Sequence, residues 1–127
     1  MTLTSGWPAK LRSGSTVTRP ARWSVAPALA ADNPIDLSLA AGKADEACMK
    51  LQVGDTLRWR FEAGAPVAFN VHHHVGQDVT MPVDVKEARR HEGRLVADVA
   101  NDWCLMWTAA QGAPARVQGS WSITPKP

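Results

Sequence analysis

Beyond residue 33 the chain alternates apolar and polar positions with a period of two, in runs separated by Gly, Pro, Asn and Asp. Successive side chains of a strand point to opposite faces, so the pattern predicts strands with one face in a core and one toward water. Pro34 to Leu39 sets Ile35, Leu37 and Leu39 on one face. Cys48 to Val53 turns Met49, Leu51 and Val53 inward and Cys48, Lys50 and Gln52 outward, and Gly54-Asp55 marks the turn that follows. The contrast is sharpest in Thr56 to Glu62, where Leu57, Trp59 and Phe61 face in and Arg58, Arg60 and Glu62 face out. Ala63 to Pro66 reads as a turn. Val67 to Gly76, V-A-F-N-V-H-H-H-V-G, then puts Val67, Phe69, Val71, His73 and Val75 on the core face and Ala68, Asn70, His72 and His74 on the other.

The second half of the chain repeats the pattern less cleanly. Val79 to Lys86 alternates, with Pro82 restricting it to an edge or bulged strand. Glu87 to Gly93 reads as a charged loop or a single helical turn carrying His91, and Leu95 to Val99 as a short strand. Trp103 to Thr108 turns Trp103, Leu105 and Trp107 inward against Cys104, Met106 and Thr108, and the last strand turns Val117, Trp121 and Ile123 inward. Seven or eight short strands with turns about every 8–12 residues predict an all-β, antiparallel sandwich.

Composition supports that picture and adds a division of the chain. A length of 127 residues suits one domain with a real core. Six Trp and no Tyr, most of the Trp in alternating runs, supply large rings for the interior. Residues 1–30 carry Lys10, Arg12, Arg19 and Arg22 and no acid, whereas residues 31–127 carry 10 basic and 12 acidic residues, so the net charge of +2 conceals a slightly acidic domain behind a basic leader. A nucleic-acid partner would need a clustered basic face on the domain, which the sequence lacks. Within the leader, Trp23 to Ala31 is weakly apolar after a basic segment and contains Ala28-Leu29-Ala30, the logic of an export signal cleaved near Ala31; a flexible arm is the alternative. No apolar run reaches the roughly 18–20 residues needed for a transmembrane helix.

Chemistry is suggested by two residue types. Cys48 and Cys104 lie on strands at outward parity, and they are either a disulfide between distant strands or free thiols able to ligate a metal. A bridge closing a loop of about 57 residues would stabilise by roughly 4 kcal/mol and would indicate an oxidising compartment, periplasmic or secreted. His72 and His74 form a His-x-His pair with Cα atoms about 6.5 Å apart, close enough for both rings to reach one metal ion. His91 or Asp78 is the expected third ligand, and imidazoles suit copper and zinc alike. A blue-copper set of His72, His74, Cys104 and Met106 is disfavoured, because no histidine follows Cys104 in the chain.

The order C-M-K-L-Q-V-G-D-T-L-R-W-R-F, V-A-F-N-V, W-C-L-M-W and V-Q-G-S-W-S-I over residues 46–124 is similar to the Golgi-dynamics (GOLD) domain, most of all to lumenal domains of Golgi cargo receptors. N-V-H-H-H and W-C-L-M-W look closer to small secreted bacterial domains of that sandwich type. The resemblance implies a jelly-roll-like sandwich, a Cys48–Cys104 bridge, and partner binding without a catalytic site. Catalysis is not expected from motifs either, since G-x-S-x-G, H-E-x-x-H and C-x-x-C are all missing. The leading expectation is a small extracytoplasmic binding protein with a copper or zinc site at His72, His74 and His91. The alternative is a GOLD-like module that binds a protein partner through an exposed sheet edge, and a third is a pH-responsive histidine surface.

Overall fold

The computed structural model describes residues 32–127, so the leader and its export-signal expectation lie outside the described residues. These residues form six antiparallel strands and no helix: β1 (Asn33–Leu39), β2 (Ala44–Leu51), β3 (Thr56–Val75), β4 (Asp78–Val96), β5 (Asn101–Ala109) and β6 (Ala115–Thr124). The sheet runs β1-β6-β3-β5-β2, with β4 on the other edge of β3. All-β, antiparallel and sandwich-like, the architecture is the expected one.

Six strands replace the expected seven or eight because two predicted interruptions are not interruptions. Ala63 to Pro66, expected as a turn, continues β3. Ala63 and Ala65 keep the inward parity of Phe61 and Val67, so the alternation passes through unbroken. Pro66 has no N–H to give a ladder, and the pairing of β3 with β4 skips here, from Glu62 opposite Arg90 to Val67 opposite Ala88. The proline and glycine that suggested a turn instead mark a bulged bend. Likewise Glu87 to Gly93, expected as a charged loop or helical turn, lies within β4, where Ala88, His91 and Gly93 are its half-buried positions. The predicted strand Leu95 to Val99 is cut at Val96. Pro82 lies on β4, which pairs only with β3 among the described residues, as its edge assignment required.

The bend explains how one sheet becomes two layers. The first half of β3, Thr56 to Ala63, pairs with β6, and the second half, Val67 to His73, pairs with β5 along the same edge. β6 then carries β1, and β5 carries β2. The two wings thus share β3 and β4 and curl over a common interior. Trp59, Phe61, Phe69 and Trp107 meet there with ring centroids 4.9–5.9 Å apart, in tilted and edge-on geometries favourable for aromatic pairs. Leu51, Leu57, Val71, Leu105 and Val117 fill the remaining volume without exposure. Each such aliphatic side chain stabilises by roughly 1.5–3 kcal/mol relative to an exposed one.

Two glycines are required by this geometry. Gly76 adopts φ 63° in the turn joining Val75 to Asp78, the left-handed conformation that a tight hairpin needs. Gly119 sits where β6 crosses β3, and a Cβ there would overlap the Arg60 carbonyl oxygen and the Phe61 Cα.

Candidate functional site

Strand geometry sorts the three adjacent histidines as parity predicts. His73 turns into the core, its ring 4.1 Å from that of Trp103. His72 and His74 take the outer face with Asn70. Register then sets what stands beside them: His72 lies opposite Cys104, and Cys104 opposite Cys48. The two cysteines form a disulfide with an S–S distance of 2.07 Å and Cα atoms 4.0 Å apart. The bridge therefore joins neighbouring strands, although 56 residues separate the cysteines in sequence. Free thiols are ruled out, and with them Cys104 as a metal ligand. The next row on this face is Glu46, Met106 and Asn70, paired across the same three strands.

His72 differs from expectation in burial rather than in direction. It is only 6% exposed, while His74 beside it is open to solvent. Its Nδ1–H donates to the Asn70 Oδ1 at 2.6 Å, because an amide oxygen can only accept. In the neutral ring this leaves the lone pair on Nε2, which lies 3.7 Å from Glu46 Oε1. Burial holds His72 below the usual imidazole pKa; the Glu46 carboxylate opposes that shift, and the neighbouring rings of His74 and His73 add to it. The His74 ring stands nearly perpendicular to that of His72, centroids 5.1 Å apart.

The two expected third ligands are elsewhere. His91 lies opposite Phe61 on β4, facing inward, where its Nδ1 accepts from Trp59 Nε1–H at 3.1 Å and its ring stacks with Trp59 and Phe61. It is a core-lining residue on the opposite face of the sheet from His72. The segment expected to carry it as a loop is strand, which fixes its direction. Asp78 closes the β3–β4 hairpin opposite Val75 and is exposed. Among the described residues, the His, Cys, Asp and Glu groups that converge within 4.8 Å are Glu46, His72 and Cys104, the last committed to the disulfide. Sequence reasoning missed Glu46. Its signal was parity: it lies two residues before Cys48, hence on the same face once that cysteine is bridged to Cys104.

A second feature lies at the adjoining end of the sandwich. Gly54 N–H donates to the Ala97 carbonyl at 2.8 Å and Ala97 N–H to Asp55 at 2.9 Å, tying the β2–β3 turn to the β4–β5 loop. Trp103 Nε1–H reaches the Val99 carbonyl at 3.3 Å, and Asn101 Nδ2–H the His74 carbonyl at 2.7 Å, so the β3–β4 hairpin belongs to the same end. Val53, Val75, Val79, Met81, Val96 and Val99 are the exposed large hydrophobic residues of the described chain, and all six lie at or beside these three connections. Scattered exposed apolar residues are ordinary, but a set confined to one end is not.

Comparison with described protein families finds none that matches, and comparison with curated proteins finds no relative. Among solved structures the chain is similar to PliG of Aeromonas hydrophila, a periplasmic lysozyme inhibitor of g-type lysozyme. The likeness has a TM-score of 0.50 at 11% identity and covers 75% of this chain and 86% of that one. At that identity it is a likeness of fold.

Proposed function

We propose that this chain is a small extracytoplasmic binding protein that engages a protein partner with the loop-bearing end of its sandwich. The observation that carries this is the confinement of the exposed valines and Met81 to three connections at one end. Backbone hydrogen bonds brace two of these connections to each other and the Asn101 side chain braces the third, so the surface is presented already ordered, and binding loses little conformational entropy. The Cys48–Cys104 disulfide favours an oxidising compartment. The solved structure that the chain resembles in fold is that of an inhibitor of another protein, a g-type lysozyme, which supports a protein partner for this fold.

The inhibitor likeness makes a g-type lysozyme the partner to test first. Titrating the purified chain against such an enzyme should slow lysis of bacterial cell walls. A Val75→Asp/Val99→Asp variant should raise the inhibitory concentration at least about a hundredfold, two buried apolar contacts each being worth about 1.5 kcal/mol or more. Equal inhibition by the variant and the wild type would remove the valine surface from the proposal; no binding by either, seen by calorimetry, would remove this lysozyme as the partner.

A further inference from the structure

We infer that the outer face of β2, β5 and β3 carries a divalent-metal site whose ligands are His72 Nε2, Glu46 and His74, with copper(II) bound most tightly. The inference is independent of the protein-binding proposal. It differs from the set expected from sequence in its third ligand, a carboxylate two strands away in place of His91.

One pair of the three ligands already stands near ligand spacing. Two ligand atoms bound at about 2.0–2.2 Å around a tetrahedral centre stand roughly 3.3–3.6 Å apart. His72 Nε2 and Glu46 Oε1 are separated by 3.7 Å, too far for a hydrogen bond and close to that spacing. Two imidazoles on one metal, with nitrogens at about 2.0 Å and ring centres about 1.2 Å beyond them, place their centroids roughly 5.2 Å apart. The His72 and His74 centroids are 5.1 Å apart. His74 is not in the group whose ligand atoms already converge within 4.8 Å; it is exposed, and completing the site requires its ring to turn a nitrogen toward Glu46 and His72.

The surroundings tune these ligands. Asn70 Oδ1 takes the Nδ1 proton of His72, which fixes the tautomer with the lone pair on Nε2, the arrangement that metal-bound histidines receive from an outer partner. Two imidazoles and a carboxylate leave a further position open, and on the Irving–Williams order copper(II) binds such a set most strongly of the divalent first-row ions.

The test uses the full chain without a histidine tag. Copper(II) titrated by calorimetry should bind one ion per chain, with an electron paramagnetic resonance spectrum showing coupling to two imidazole nitrogens. Glu46 and His74 are both exposed, so Glu46→Gln and His74→Ala leave the fold intact, which far-UV circular dichroism checks. Each should weaken binding at least about tenfold, His74→Ala should reduce the coupling to one nitrogen, and His91→Gln should leave affinity unchanged. Equal affinity for Glu46→Gln and wild type, or loss of binding in His91→Gln with the fold retained, would overturn the site as assigned. Zinc(II) is the second arm, and zinc binding tighter than copper would overturn the choice of ion.

Discussion

Replacing both cysteines, Cys48→Ala/Cys104→Ala, isolates the disulfide from the ladder it crosses. The bridge closes a loop between residues 56 apart in sequence. On the chain-entropy relation a loop of that length is worth about 4 kcal/mol at 25 °C, through restriction of the unfolded chain. Little is lost on the folded side. The strands around the bridge are paired from Ala44 opposite Thr108 to Leu51 opposite Asn101, and Cys48 itself is exposed. For a domain of this size total stability is roughly 5–14 kcal/mol, so the loss is a large fraction of it. Urea unfolding followed by tryptophan fluorescence is the assay, with the buried Trp103 and Trp107 as reporters. With a slope of roughly 1–2 kcal/mol/M the midpoint should fall by about 2–4 M. A fall of less than about 0.5 M at unchanged slope would refute the argument that the bridge acts by constraining the unfolded chain. It would mean that β2 is held to β5 by the ladder and the core alone.

Gly119→Ala should destabilise by about 3 kcal/mol or more in the same urea assay, because the added methyl overlaps the backbone of β3 and the two strands must part. Trp59→Phe removes the donor to His91 Nδ1 and should cost about 1–3 kcal/mol, read as a shift in urea midpoint; an unchanged midpoint would mean that this buried hydrogen bond contributes nothing. The His72 pKa is lower in the folded than in the unfolded chain, so the unfolded chain takes up the proton first. The corresponding stability is complete above about pH 6.5 and is lost as the pH falls through the lower folded value. Thermal unfolding without metal between pH 7.5 and 5 should therefore show a steeper fall in midpoint for wild type than for His72→Gln. Parallel curves would remove His72 as the cause.

The inward residues of the central runs could be read directly, since Leu57, Trp59, Phe61, Val67, Phe69, Val71 and Trp107 are all buried where the alternation placed them, whereas Val53 and Val75, given the same inward parity, are exposed where their strands run out at the turns. What misled was composition. Ala63 to Pro66 has the residues of a turn, yet its alanines keep the parity of the flanking runs, and the chain uses the proline at a bulge where no ladder hydrogen bond is required. Charge misled at Glu87 to Gly93, because a strand exposed along one face tolerates the same Glu and Arg residues as a loop. His91 followed that error, since a histidine assigned to a loop can point anywhere, whereas on β4 its register opposite Phe61 commits it to the core.

The His72 and His74 strand end shows where sequence alone stops. The backbone's period of two is local, so the sequence by itself determined that His72 and His74 share a face and that His73 does not. It also put Cys48, Cys104 and Met106 at outward positions on their own strands. Which strands lie side by side, and in what register, is set by pairings between residues far apart in the chain, and no local pattern encodes them. The tertiary structure alone decided that Cys104 stands between Cys48 and His72, that Glu46 rather than His91 reaches the imidazole, and that three distant turns bring their valines to one end.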